Sequence, residues 1–165
     1  MFINPDELLE VEVMYKSIGR QYLVFSRLDF HEAQANQQIA IQKIEKEKNK
    51  YPDKTFAKIE LLKEEDFKTL KVQMKVLNWK LYNELQDNAM LKDVNGEQEW
   101  SYRAFKEGKL AKLVVSWDAT SISDGKLVTM PVNEKNILNL APDIAEAILN
   151  IYDQISVLDE DDSKK

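Results

Sequence analysis

The chain contains no cysteine, and among its 165 residues there are one histidine, four glycines and four prolines. Without cysteine there is no disulfide framework, no thiol nucleophile and no thiolate-ligated metal. The single histidine, His31, would need a neighbouring hydroxyl such as Ser26 and an orienting acid to act as a general base. It falls at an expected helix start, where the residues favour a solvated or structural role. The glycines, at 19, 96, 108 and 125, are isolated, so no phosphate-cradling loop is encoded. Apolar runs are short, well below the roughly 20 residues of a membrane span. No basic start followed by an apolar block opens the sequence, so a cytoplasmic protein without a membrane partner is the expectation.

A basic surface is also missing. Lysine and arginine number 23 against 29 acids, a net charge of −6, and the excess is concentrated. Residues Ala141 to Lys165 alone carry −5. Nucleic acid is therefore not an expected partner. Carboxylates abound, but Glu64-Glu65-Asp66 reads as a solvated face. Asp159 to Asp162 lack the interleaved glycine of a calcium loop. No catalytic residue, metal ligand or cofactor site is indicated, and an enzyme is not expected.

What is present predicts a mainly α protein with a small N-terminal β-hairpin, in the α+β class, built on a long central helix packed by C-terminal helices. Residues 1–158 form the expected single domain, and 159–165 an acidic tail too polar to order itself. The hairpin covers 10–28: Val11, Val13 and Tyr15 alternate with Glu10, Glu12 and Met14, and Tyr22 to Phe25 supply a second strand across Gly19. Asp29 with Glu32 resembles a capping box and opens a charged helix over 30–50 with little apolar face. The long helix is expected over 55–88. Phe67, Leu70, Met74, Leu77, Leu81 and Leu85 recur at helical steps, and Trp79 and Tyr82 widen the stripe.

Residues 97–158 hold a tryptophan-centred module and the last helix. A third helix is expected from near Glu97, with Trp100, Ala104, Ala111 and Val115 on one face and Gly108 weakening its middle. Leu110 to Trp117 reads equally as a strand, because a short apolar run does not separate the two. Asp124-Gly125 marks a turn between two short strands. Pro142 and Asp143 open the last helix, lined by Ile144, Ile148, Ile151 and Ile155. Trp117 has two readings, a core anchor or an interface anchor.

Ser116-Trp117-Asp118, the Asp124-Gly125-Lys126 turn, Pro131 to Asn136, Leu140 and Pro142 to Ala147 follow one another in an order that resembles tail assembly chaperones of long-tailed bacteriophages. The pattern covers about a quarter of the chain, with Ala119 to Ser123 inserted between the aspartate and the turn. The resemblance implies a non-catalytic protein of the host cytoplasm that coats the long helical tape-measure protein until tail-tube subunits polymerise around it, and that is absent from the mature virion. The implied partners are the tape-measure protein, the tail-tube protein and further copies of the chain. The expected contact residues are Phe67, Leu70, Met74, Leu77, Leu81, Leu85 and Trp117. A structural virion component, such as a tail-completion or connector subunit using the N-terminal hairpin for strand addition, is the alternative.

Overall fold

The N-terminal alternation produces two strands, β1 (Leu8–Ile18) and β2 (Gln21–Phe25), joined through Gly19 at φ 62°. They do not stand alone. In the computed structural model, which describes residues 3–162 and side chains through Ser156, they belong to an antiparallel four-stranded sheet in the order β2-β1-β3-β6. β3 is Lys68–Lys75 and β6 is Val114–Trp117.

β3 overturns the expected long helix. Residues 54–63 carry no regular secondary structure, Glu64–Asp66 form one 3-10 turn, and the only helix within 55–88 is α2 (Trp79–Asn88). The fold is α+β, 45% helix and 27% strand, rather than mainly α with a long central helix. The physical reason lies in the same residues. Leu70, Val72 and Met74 alternate with Lys71, Gln73 and Lys75, a period of two that suits a strand buried on one face. The helical spacing of Leu70, Met74 and Leu77 ignored Val72, which is fully buried. Long-range pairing then decides: Val11 faces Val72, Val13 faces Leu70 and Leu9 faces Met74 across β1 and β3. Register of this kind is specified wherever one face is buried.

That apolar face is covered by α5 (Pro142–Asp162) through Ile144, Ala147, Ile148, Ile151 and Tyr152, all buried. Burying each such aliphatic side chain contributes about 1.5–3 kcal/mol. Tyr152 brings its hydroxyl to the exit of β3, donating to the Lys75 carbonyl and accepting from Leu77 N–H, each at 2.9 Å. Of the acidic tail expected at 159–165, the backbone of 159–162 continues α5, and residues 163–165 lie outside the described residues. On the free side of β2, Tyr22 N–H donates to the Asp143 carboxylate at 3.0 Å, which occupies an edge group with the first turn of α5.

The second sheet face is polar except at one end. Glu10 accepts from Gln73, and Arg27 reaches both Glu12 and Glu64. Beside them Phe25, Phe30 and Phe67 meet edge to face with centroids 5.1–5.9 Å apart. Helix α1 (Arg27–Lys50) starts here, capped by Ser26 rather than Asp29, and buries only Phe30. It leaves the sheet as an arm. The extended segment returning along it is tied by Gln34 to the Leu62 carbonyl and by Gln37 to Leu62 N–H and the Glu60 carbonyl.

Between β3 and β6 the chain builds a side lobe: α2, the short hairpin β4 (Met90–Lys92) and β5 (Gln98–Trp100), and α3 (Tyr102–Leu113). Asn78 caps α2 and Ser101 caps α3, each accepting from the N–H three residues on. The expected helix start near Glu97 is thus displaced by the β5 strand. A Cβ at Gly108 would lie 3.3 Å from a Leu85 methyl, so this glycine lets α2 and α3 close together.

Candidate protein-binding surfaces

The seven expected contact residues do not form a ridge. Leu70 and Met74 lie in β3 and Leu85 in α2, all buried; Trp117 is buried at the end of β6. Phe67, Leu77 and Leu81 are half-buried, Phe67 in the phenylalanine cluster and the other two against the main core. The structure therefore divides the set among three neighbourhoods and spends most of it on the interior.

Trp117 holds the module that follows it. Its indole N–H donates to the Met130 carbonyl at 2.6 Å. Asp118 accepts Lys71 N–H at 2.8 Å and donates its own N–H to the Lys71 carbonyl, extending the β3–β6 ladder by one step. Between these anchors the chain rises as a hairpin, β7 (Thr120–Ser123) and β8 (Lys126–Thr129). Its turn, Asp124-Gly125, has positive φ at both residues, 51° and 73°, the geometry of a type I′ turn. Asn133 then caps the short helix α4 (Glu134–Leu138), and the Asn136 amide donates to the Pro131 carbonyl. Trp117, Asn133 and Asn136 thus each fix a backbone group within this module, and Asp118 fixes one of β3.

Below the hairpin lies an open cleft of about 250 Å³ lined by Tyr15, Tyr22, Trp117, Met130 and Ile144 among others. That is smaller than the roughly 300–1,000 Å³ of small-molecule sites. Burial raises the Tyr15 phenol above its ordinary range, with Tyr22 and Asp118 adding in the same direction. It stays neutral, so the cleft offers a hydroxyl and rings rather than charge.

The most exposed aromatic surface is on the side lobe. Trp79 stacks on Tyr82 (5.8 Å, 20°), Tyr82 meets Phe105 edge-on, Phe105 touches Trp100 (5.7 Å), and Trp100 leads to Tyr102 (6.0 Å). Trp79 is 76% and Tyr102 62% exposed. Met90, the cross-strand partner of Trp100 and 40% exposed, continues the surface. Lys106 lies 4.8 Å over the Tyr102 ring and pairs with Glu146, an arrangement that raises the ammonium pKa through the Glu146 hydrogen bond first. A row of rings braced against one another is rigid, so little rotamer freedom is lost when it is covered. Exposed tryptophan and tyrosine are the side chains in which interface energy concentrates. Contiguous apolar exposure of this kind marks interaction sites.

The sequence reading has Trp79 and Tyr82 widening the stripe of one long helix and Trp100 on the face of another, so it does not gather this platform. The available signal was Asn78: a capping residue directly before Trp79 restarts the helix and turns the tryptophan outward at its first position. His31 is exposed, with its ring edge-on to Phe30. Among the described residues no group of three or more histidine or acidic side chains converges as metal ligands, and no helix is long and apolar enough to cross a membrane. Comparison with protein families, curated proteins and solved structures returns no match to this chain.

Proposed function

We propose that this protein is a tail assembly chaperone of a long-tailed bacteriophage, which binds the tape-measure protein in the host cytoplasm and is released as tail-tube subunits assemble. The observation that carries the reading is the ordered pattern from Trp117-Asp118 through the Asp124-Gly125 turn and Asn133 to Pro142-Asp143, similar to that family, in which the side chains of Trp117, Asp118, Asn133, Asn136 and Asp143 each hydrogen-bond a backbone group. The aromatic platform supplies what such a role requires. A long helical client offers apolar stripes, and Trp79, Tyr82, Trp100 and Tyr102 form a rigid face on which they can lie. The contact surface is thereby moved from the expected ridge to the side lobe. The acidic C-terminal end keeps the coated client in solution by charge repulsion.

Co-expression with the tape-measure protein of the same phage tests the reading. The wild-type chain keeps that client in the soluble fraction and copurifies with it, whereas the double variant Trp79→Ala/Tyr102→Ala does neither while staying folded. Stable, stoichiometric presence of the chain in purified virions would instead favour a structural virion component.

A further inference from the structure

The rings of the platform are not braced alike. Tyr82, Phe105 and Trp100 each lie between two ring neighbours, and Gln86 donates to the Tyr82 hydroxyl at 2.8 Å. Tyr102 closes the row with one ring neighbour, Trp100, at 6.0 Å and a tilt of 39°. It is the first residue of α3 and 62% exposed. Its other support is a cation: Lys106, on the next turn of α3, lies 4.8 Å over the ring.

Lys106 is itself held from outside the side lobe. Its ammonium pairs with Glu146 on α5. Glu146 stands between Ile144 and Ala147, both buried in the core beneath α5, so its backbone belongs to the main layer. One step further along α3, Lys109 pairs with Asp153 at 2.5 Å and lies 5.2 Å over the Tyr152 ring. Beside the Lys106–Glu146 pair the seam between α3 and α5 leaves a gap of about 190 Å³, lined by Leu110, Leu140 and Leu149 among others. Packing alone therefore does not fix this end of α3. The two ion pairs also differ in exposure. The Lys109 side chain is 10% exposed, whereas those of Lys106 and Glu146 are 27% and 51% exposed. Salt screens an exposed pair far more than a buried one.

We infer that Glu146 is a positioning residue of the aromatic platform: through Lys106 it fixes the Tyr102 ring, and so makes capture of a client depend on ionic strength. The inference rests on the platform's being the contact surface proposed above. The ammonium occupies one face of Tyr102 and leaves the opposite face and the edge for the client. Held by Glu146, it stays there when a client arrives. Released, Lys106 swings into solvent and the last ring of the row is free to turn. A ring immobilised only on binding loses rotamer freedom that a braced ring has already given up. Attractions of this kind at partly exposed sites change affinity by about two- to fivefold.

The free chain is read first. Protons above an aromatic face resonate upfield, so the Lys106 ε-methylene of the wild type should lie upfield of the other lysines. Glu146→Gln should return it toward them. Client capture is read second. Glu146→Gln should bind the tape-measure protein about two- to fivefold more weakly than the wild type. Its affinity should also fall less steeply between about 0.05 and 0.5 M salt. The charge swap Lys106→Glu/Glu146→Lys separates positioning from docking of the lobe. It restores the ion pair and the melting temperature but sets a carboxylate against the negative ring face, so capture should remain weak. An unshifted Lys106 ε-methylene in the wild type, or the same shift in Glu146→Gln, overturns the inference without any client. Capture by Glu146→Gln or by the swap equal to that of the wild type overturns it as well. If the wild type shows the shift and Glu146→Gln loses it, the link from Glu146 to Tyr102 stands even where no client is captured, a result that counts against the proposed function instead.

Discussion

Replacing Tyr152 by phenylalanine deletes one oxygen atom and isolates the polar link between α5 and β3. The hydroxyl is the partner of two backbone groups, the Lys75 carbonyl and Leu77 N–H, on a side chain only 2% exposed. Each buried group left unpaired costs about 1–3 kcal/mol. Because Leu77 is half-buried and solvent reaches it in part, the sum is about 2–4 kcal/mol. That is a large part of the roughly 5–15 kcal/mol that holds a domain together. At about 2–4 °C per kcal/mol for a chain of this size, the melting temperature should fall by roughly 5–15 °C. Thermal and urea denaturation followed by far-ultraviolet circular dichroism measure it.

Alkaline pH gives a second readout. Burial, the largest influence, raises the Tyr152 phenol above its ordinary value of 10.0. The unfolded chain then loses that proton first, so this contribution to stability is complete below about pH 10 and disappears as pH climbs through the raised folded value. The phenylalanine variant lacks it, and the gap between the two proteins should narrow above pH 10. A melting temperature within about 1 °C of wild type would refute the assignment of Tyr152 as a buried two-bond bridge.

Ile148→Ala removes a fully buried side chain from the face of α5 against β1 and β3, and should cost about 2–5 kcal/mol in urea denaturation. Trp117→Phe forfeits the bond to the Met130 carbonyl, about 1–3 kcal/mol, and should speed amide exchange at the base of the β7–β8 hairpin before it affects the central sheet. Trp79→Ala, by contrast, removes a ring that is 76% exposed, and should leave stability within about 0.5 kcal/mol of wild type while abolishing client capture. Gly125→Val places a β-branched residue at φ 73° and should loosen the hairpin without lowering the global melting temperature, as read by nuclear magnetic resonance of the Ile122 and Leu127 methyls.

How far the fold is legible in the sequence depended on whether a local signal had a competitor. The Asp124-Gly125 hairpin, the first two strands and the helix opening at Pro142 were readable because turn chemistry, alternation and helical spacing each pointed one way. Residues 55–88 carried two periods at once. Phe67, Leu70, Met74 and Leu77 fit a helix, Leu70, Val72 and Met74 fit a strand, and the contacts that choose between them lie on β1, more than fifty residues upstream. Ser26 caps α1 although Asp29 with Glu32 offers a more familiar capping box three residues later. The platform was illegible for a related reason. Its rings come from α2, β5 and α3, and a reading that merged α2 into a longer helix could not gather them.

Hydrogen exchange on the purified complex with the tape-measure protein tests the central claim most directly. The account predicts that residues 79–82, 90–92 and 100–105 gain protection at least severalfold on binding. Protection confined to other surfaces, or no complex at all between the folded chain and that protein, would contradict it.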